Sequence, residues 1–246
     1  MEQSVTNPIR VFIGYDSKEP IAYHVAAHSI LRRASVPMSV TPLVQDQLRQ
    51  MGVYWRDRGP TESTEFSITR FLTPYLCGYT GYAIFMDCDM LCLTDLAELH
   101  QLFAGDERTC PPEAVWVVKH DYVPKAETKF LGNVQTKYPR KNWSSVIIFN
   151  NERCRALTPD YVNKATGLEL HRFLWTTDDR IGSLPLDMNY LVGESGQCDG
   201  PPRIIHYTNG GPWFQELPLG DHDKEWLEEL DSMQVQLVPL NPWRSG

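Results

Sequence analysis

Two aspartates separated by one residue, Asp87 and Asp89 in "YAIFMDCDMLCLTDL", stand where an apolar run stops. On an extended backbone, positions i and i+2 project to the same side, so the run "AIFM" delivers two carboxylates that converge. Like charges that close raise one of the two pKa values unless a cation sits between them. A hard divalent ion, Mg²⁺ or Mn²⁺, resolves the conflict by taking oxygens from the protein and from a substrate phosphate. With 16 aspartates in 246 residues, an Asp-x-Asp triplet is expected about once by chance. The chain supplies its own control in Asp221 and Asp223 of "LGDHDKEW", a pair that opens a polar helix pattern and is explained by capping and dipole complementarity. Of the two pairs, the one at the end of the apolar run is assigned the metal.

Such a pair needs elements that place it at the edge of a core. The 246 residues are 42% hydrophobic and 22% charged, enough to bury a sizeable core in one large or two small domains. The first element, "IRVFIGYD", is β-branched and aromatic and stops at Gly14, Tyr15 and Asp16. "SKEPIAYHVAAHSILRR" follows with Ile21, Ala22, Val25, Ala26, Ile30 and Leu31 at helical spacing, its start marked by Ser17 and Pro20. "MSVTPL" reads as a second strand, "MGVYWRDRGPTEST" as a long polar loop, and "EFSITRFLTPYLCGY" as a helix running into the strand "YAIFMD". "AVWVVKH" and "SSVIIFN" continue the strands; "DYVNKATGLELHRFLW" reads as helix, "RIIHYT" as a late strand and "DKEWLEELDSMQVQ" as a polar terminal helix. Strands alternating with helices predict an α/β sheet with helices packed on its faces, and without a repeat or composition break one domain is expected.

The net charge of −8 and pI near 5.4 argue against a nucleic-acid surface, which needs clustered Lys and Arg. No apolar stretch approaches the roughly 20 residues that span a bilayer, and "MEQSVTNPIR" lacks a basic head followed by an apolar run; a cytoplasmic location is the expectation. Cys77, Cys88, Cys92, Cys110, Cys154 and Cys198 have neither zinc-type pairing nor disulfide-scaffold density and are read as reduced thiols.

The segment "RFLTPYLCGYTGYAIFMDCDMLCLTDLAEL" resembles nucleotide-sugar glycosyltransferases of the GT-A fold, in particular the group of glycogenin and bacterial lipopolysaccharide galactosyltransferases. "RIIHYTNGGPWF" is similar to that group's "iIHytG..KPW", and the "GYD" ending to its uridine-contacting turn. The resemblance implies a Rossmann-like, mixed, mostly parallel sheet with helices on both faces in a single domain, with a nucleotide-binding part over about 8–150 and a closing part over about 151–246. It further implies that Asp87, Asp89 and His206 bind the metal, with Mn²⁺ favoured over Mg²⁺ by the imidazole. Gly14, Tyr15, Asp16, Arg70, Cys88, Ser144, Gly210 and Gly211 would then contact a nucleotide sugar, UDP-linked by resemblance, and Asp178 or Asp179 the sugar or acceptor at a catalytic position. The expected reaction transfers a sugar to a carbohydrate, glycolipid or protein hydroxyl with retention of configuration.

Three departures from the group's pattern stand out. "NGGPW" is one residue short and has Gly211 where a lysine is usual, "NWSSVIIFN" carries Trp143 and Ser144 in place of "fNaG", and "TTDDRIG" replaces "DQD" ahead of "LPLDMNYLVG". A phosphohydrolase of the haloacid dehalogenase type is the rival reading, with Asp87, Asp89, Asp178 and Asp179 as its acids, although Leu91 stands where that motif has Thr or Val. A sugar-nucleotide binding module without turnover is the third.

Overall fold

A computed structural model describes residues 7–59, 62–99, 112–121, 139–198, 200–214 and 219–233. Cys110 and the predicted helical residues 234–236 lie outside them. The first strand, β1 (Ile9–Gly14), pairs in parallel with β2 (Met38–Leu43) on one side and β3 (Tyr82–Met86) on the other. Beyond β3 come β6 (Val146–Asn150), antiparallel, then β5 (Val115–Val118) and β7 (Ile181–Leu184), giving the order β2-β1-β3-β6-β5-β7. Three of these five pairings are parallel, so the mixed, mostly parallel sheet expected from the sequence is present in a single α/β domain. A second sheet is built from β4 (Met90–Cys92), β9 (Ile204–His206) and β8 (Tyr190–Leu191).

The apolar runs explain the layers. Ala83, Ile84, Phe85 and Met86 of β3 are all buried between β1 and β6, and burying an Ile, Phe or Met side chain contributes about 1.5–3 kcal/mol. The Pro20–Arg33 helix turns Ala22, Val25, Ala26 and Ile30 inward, while Ile21 and Leu31 stay exposed. Glu19 occupies its N-cap position, with Pro20 at the first turn where a missing N–H costs nothing. Val25 also joins Leu91, Ile205, Tyr207 and Trp226 in a smaller core, which fastens the terminal Asp223–Ser232 helix and the second sheet to this helix.

Two predicted helices come out differently. "EFSITRFLTPYL" is a turn, a 3-10 segment Thr69–Leu72 and one helical turn Thr73–Leu76, with Pro74 at the start of that last turn. "DYVNKATGLELHRFLW" divides into Pro159–Lys164 and Gly167–His171 because Thr166 starts a new helix: its side chain takes the Glu169 N–H while the Glu169 carboxylate takes the Thr166 N–H. Elements from both sides of residue 150 share both sheets, since β7 pairs with β5 and β9 pairs with β4. Among the described residues no helix is long and apolar enough to cross a membrane, and Cys77, Cys88, Cys92, Cys154 and Cys198 are free thiols.

Candidate metal centre

The chain leaves β3 at Asp87, whose N–H donates to Ser145 O at 3.0 Å, and enters β4 at Met90. β4 runs antiparallel to β9 with Met90 opposite His206, and Tyr207 N–H donates to Asp89 O at 2.9 Å. A short ladder therefore closes a sequence gap of more than a hundred residues and sets the imidazole beside the second aspartate. Ligand atoms of Asp87, Asp89 and His206 all lie within 4.8 Å of one another, and His206 Nε2 is 3.4 Å from Asp89 Oδ1.

A neighbouring amide selects the tautomer. Asn189 Nδ2 donates to Asn142 O at 3.1 Å, which turns Asn189 Oδ1 toward His206 Nδ1 at 2.9 Å. Nδ1 then carries the proton, assigned from this network, and the Nε2 lone pair faces the Asp89 carboxylate. Two acceptors face each other, which a cation between them converts from repulsion to ligation. An imidazole held at one nitrogen and two carboxylates form a donor set that fits a divalent ion.

Asp87 has a second attachment. Arg70, buried, places Nη1 2.7 Å from Asp87 Oδ1 and donates from it to Ser144 O at 2.7 Å, while its Nε donates to Phe66 O and Ser67 O. Its guanidinium carbon lies 5.3 Å and 5.0 Å from the Phe66 and Phe85 ring centroids. Arg70, expected on the diphosphate or ribose, here orients the first aspartate from within the core. Ser144 Oγ meets His171 Nδ1 at 2.7 Å.

The other residues singled out in the sequence distribute around this point. Gly14 is required by packing, since a Cβ there would overlap the Phe66 ring. Tyr15 packs edge-on to Tyr23. Asp16 is 2% exposed and its two oxygens accept from Lys18 N and Glu65 N at 3.0 Å and 3.1 Å, bracing the turn after β1. Gly210 has φ 102, left-handed backbone that favours glycine, and a Cβ on Gly211 would overlap the Trp213 ring. Asp178 and Asp179 lie on an exposed turn: Asp178 pairs with Arg140 at 2.6 Å, and a hydrogen bond from the Thr177 side chain holds the Asp179 carboxyl below its usual range. Neither is brought into the triad.

Three neighbours escaped the sequence reading. Glu19 Oε2 accepts from Trp213 Nε1 at 3.2 Å and its Oε1 lies 3.7 Å from Cys88 Sγ, so one carboxyl touches both the Asp-x-Asp turn and the "GGPW" loop. Burial, then Asp89 and Asp16, pushes its pKa up to about 8. His120, at the end of β5, is pushed down to about 3 by burial and then by His206, and so stays neutral. Asn189 is the Asn of the quoted "LPLDMNYLVG", which was the available signal; Glu19 only precedes the Pro20 helix start and His120 only ends the "AVWVVKH" run.

With this geometry in hand, likeness to solved structures defines the fold as that of the GT-A glycosyltransferases. The galactosyltransferase LgtC, solved with donor and acceptor sugar analogues, matches 94% of this chain and 98% of its own with a TM-score of 0.56 at 11% identity. GlyE of Streptococcus pneumoniae matches 93% of this chain and 61% of its own at TM-score 0.57 and 15% identity. The apo WbbM bifunctional glycosyltransferase matches 98% of this chain, which spans only 51% of WbbM, at TM-score 0.54 and 17% identity. No family model matches. The chain belongs to the family of Protein CDI of Arabidopsis thaliana, with which it is 46% identical over 234 residues, 93% of this chain and 88% of that protein.

Proposed function

We propose that this chain is a metal-dependent glycosyltransferase of the glycogenin and lipopolysaccharide galactosyltransferase type, moving a sugar from a UDP-sugar to an acceptor hydroxyl with retention. The observation that carries the reading is the meeting of Asp87, Asp89 and a tautomer-fixed His206 on a GT-A fold. Those three residues would hold Mn²⁺, or Mg²⁺, which when bound offsets the charge developing on the departing diphosphate. Arg70 orients Asp87, and Asn189 orients His206. Gly210 and Gly211 give the diphosphate a close backbone approach, with Glu19 anchoring that loop through Trp213. In the transfer, the bond between the anomeric carbon and the diphosphate oxygen breaks, the acceptor oxygen bonds to that carbon, and its proton passes to the departing phosphate. Partners are thus a nucleotide sugar and a carbohydrate, glycolipid or protein acceptor, in the cytoplasm.

The phosphohydrolase reading requires Asp178 and Asp179 beside Asp87 and Asp89, and the ion pair of Asp178 with Arg140 at an exposed turn speaks against it. The test is calorimetry of UDP binding with and without MnCl₂, followed by a screen of nucleotide sugars for slow Mn²⁺-dependent hydrolysis. Binding that needs the metal, with release of sugar, is the expected result. Metal-independent binding or robust phosphatase activity overturns the reading, and metal-dependent binding with no turnover on any donor points to a binding module.

A further inference from the structure

Two cations gather over one indole, in a chain whose net charge is −8. Lys119, exposed at the end of β5, places its ammonium 5.9 Å from the Trp143 ring centroid, and the guanidinium carbon of Arg140 lies 5.3 Å from the same centroid. The indole is itself fixed, because Nε1–H donates to His120 O at 2.9 Å. Arg140 and Asn142 have φ of 65° and 59°, left-handed backbone that is uncommon for Arg and readily tolerated by Asn. This segment is tied to the metal centre, since Asn142 O accepts from Asn189 Nδ2 at 3.1 Å and Asn189 in turn holds His206.

Arg140 is anchored through Nη1 to Arg172 O at 2.7 Å, which leaves Nη2 as the end an anion can reach. Arg140 meets Asp178 at 2.6 Å, but the Asp178 side chain is 80% exposed, and an ion pair with one partner in water is weak enough for an incoming anion to replace it. Lys119 donates to Ile181 O at 2.6 Å, and an ammonium has two further N–H donors. A guanidinium fork matches carboxylate and phosphate alike.

We propose that Lys119 and Arg140, spread over Trp143, form an acceptor subsite for a sugar carrying an anionic group, a carboxylate or a phosphate. The proposal rests on the glycosyltransferase reading. The acceptor side is favoured because the Lys119 and Asp178 side chains are exposed and neither belongs to the triad, the Arg140–Asn142 segment reaching it through Asn189, whereas a donor diphosphate must lie on the triad itself.

The test titrates the whole chain, alone and loaded with UDP and MnCl₂, with glucuronate, glucose 6-phosphate and glucose. At least one anionic sugar is expected to bind about tenfold or more tightly than glucose, with the preference shrinking to about twofold in the Lys119→Met, Arg140→Gln double variant. The stronger of the two anions names the group the acceptor carries. Lys119→Met alone, on an exposed side chain, reduces the preference even if the double variant folds poorly. Equal binding of charged and neutral sugars, no binding of either anion, or a preference that survives Lys119→Met undiminished overturns the proposal. Displacement of the anionic sugar by UDP-glucose but not by UDP puts it in the donor pocket and overturns the acceptor assignment. Failure of UDP to bind with Mn²⁺ sinks the underlying reading instead, and the titration of the chain alone still judges the subsite.

Discussion

The chain contains two Asp-x-Asp triplets of identical spacing, and they lead different lives. Asp87 and Asp89 bracket the passage from a buried strand of the main sheet into the second sheet, and His206 is delivered to them by β9. Asp221 and Asp223 bracket the start of a surface helix; Asp223 Oδ2 accepts from Gly220 N at 2.6 Å, and His222 between them has φ 66. What separates the two is the element that leads in: an apolar strand fixes both carboxylates at a place where they must face a third group, while a turn lets one cap the backbone and the other point to water. The comparison breaks most visibly at Asp89. Asp89→Ala is expected to abolish Mn²⁺-dependent UDP binding in a calorimetric titration, and Asp221→Ala to leave it unchanged. Equal losses would mean that triplet spacing, not strand delivery, governs the site.

The next largest effect tests why the first pair tolerates burial at all. Arg70 and Asp87 side chains are 6% and 12% exposed, and removing one partner of a buried pair costs about 3–5 kcal/mol because the other charge is left behind. Arg70→Leu should lose that much in urea unfolding, and MnCl₂ should restore part of it by supplying Asp87 with another cation and binding the native state alone. A loss below about 1 kcal/mol would show that Arg70 behaves like an ordinary surface arginine. Among the described residues the triplet at Asp221 has no comparable counter-charge to lose.

A subtler difference lies one bond further out. Asn189 fixes the imidazole that completes the first site, and losing such a support typically costs about 10–100-fold in metal affinity. Asn189→Ala is expected to weaken Mn²⁺ binding in that range, with stability changed far less than by Arg70→Leu. Unaltered affinity would show that the imidazole orients itself.

The sequence made this contrast half visible. The strand "YAIFM" is legible because its five residues are uniformly apolar and end abruptly. β4 and β8, three and two residues long, are too short for any periodicity, yet β4 is what turns the chain toward His206. Arg70 was legible as a residue near the site but not as the partner of Asp87, because its 3-10 segment rotates side chains differently from the α-helix its spacing implied. Glu19 and His120 carry no local pattern; their positions come from the Trp213 loop and from β5 folding back beside β6. Local order is written in nearest-neighbour patterns, whereas a site assembled from four distant segments is written only in the pairing of strands.

The smallest effect closes the comparison from the other side. Asp223 is 8% exposed and is the first residue of the Asp223–Ser232 helix, whose N-cap is His222; its carboxylate accepts the Gly220 N–H and meets the positive helix end, together worth about 0.5–2 kcal/mol. That helix carries Trp226, whose ring centroid lies 5.1 Å from that of Trp213 at a tilt of 41°, and Glu229, which binds His28 at 2.6 Å and Arg33 at 2.8 Å. Asp223→Ala should therefore lower stability by about 1 kcal/mol in urea unfolding. Because Trp213 remains held by Glu19, the affinity for UDP with Mn²⁺ should stay within about twofold of the parent, an energy change of roughly 0.4 kcal/mol. A much larger drop in that affinity would show that the terminal helix transmits strain through the tryptophan pair into the "GGPW" loop. The second triplet would then belong to the site after all, by way of packing instead of ligation.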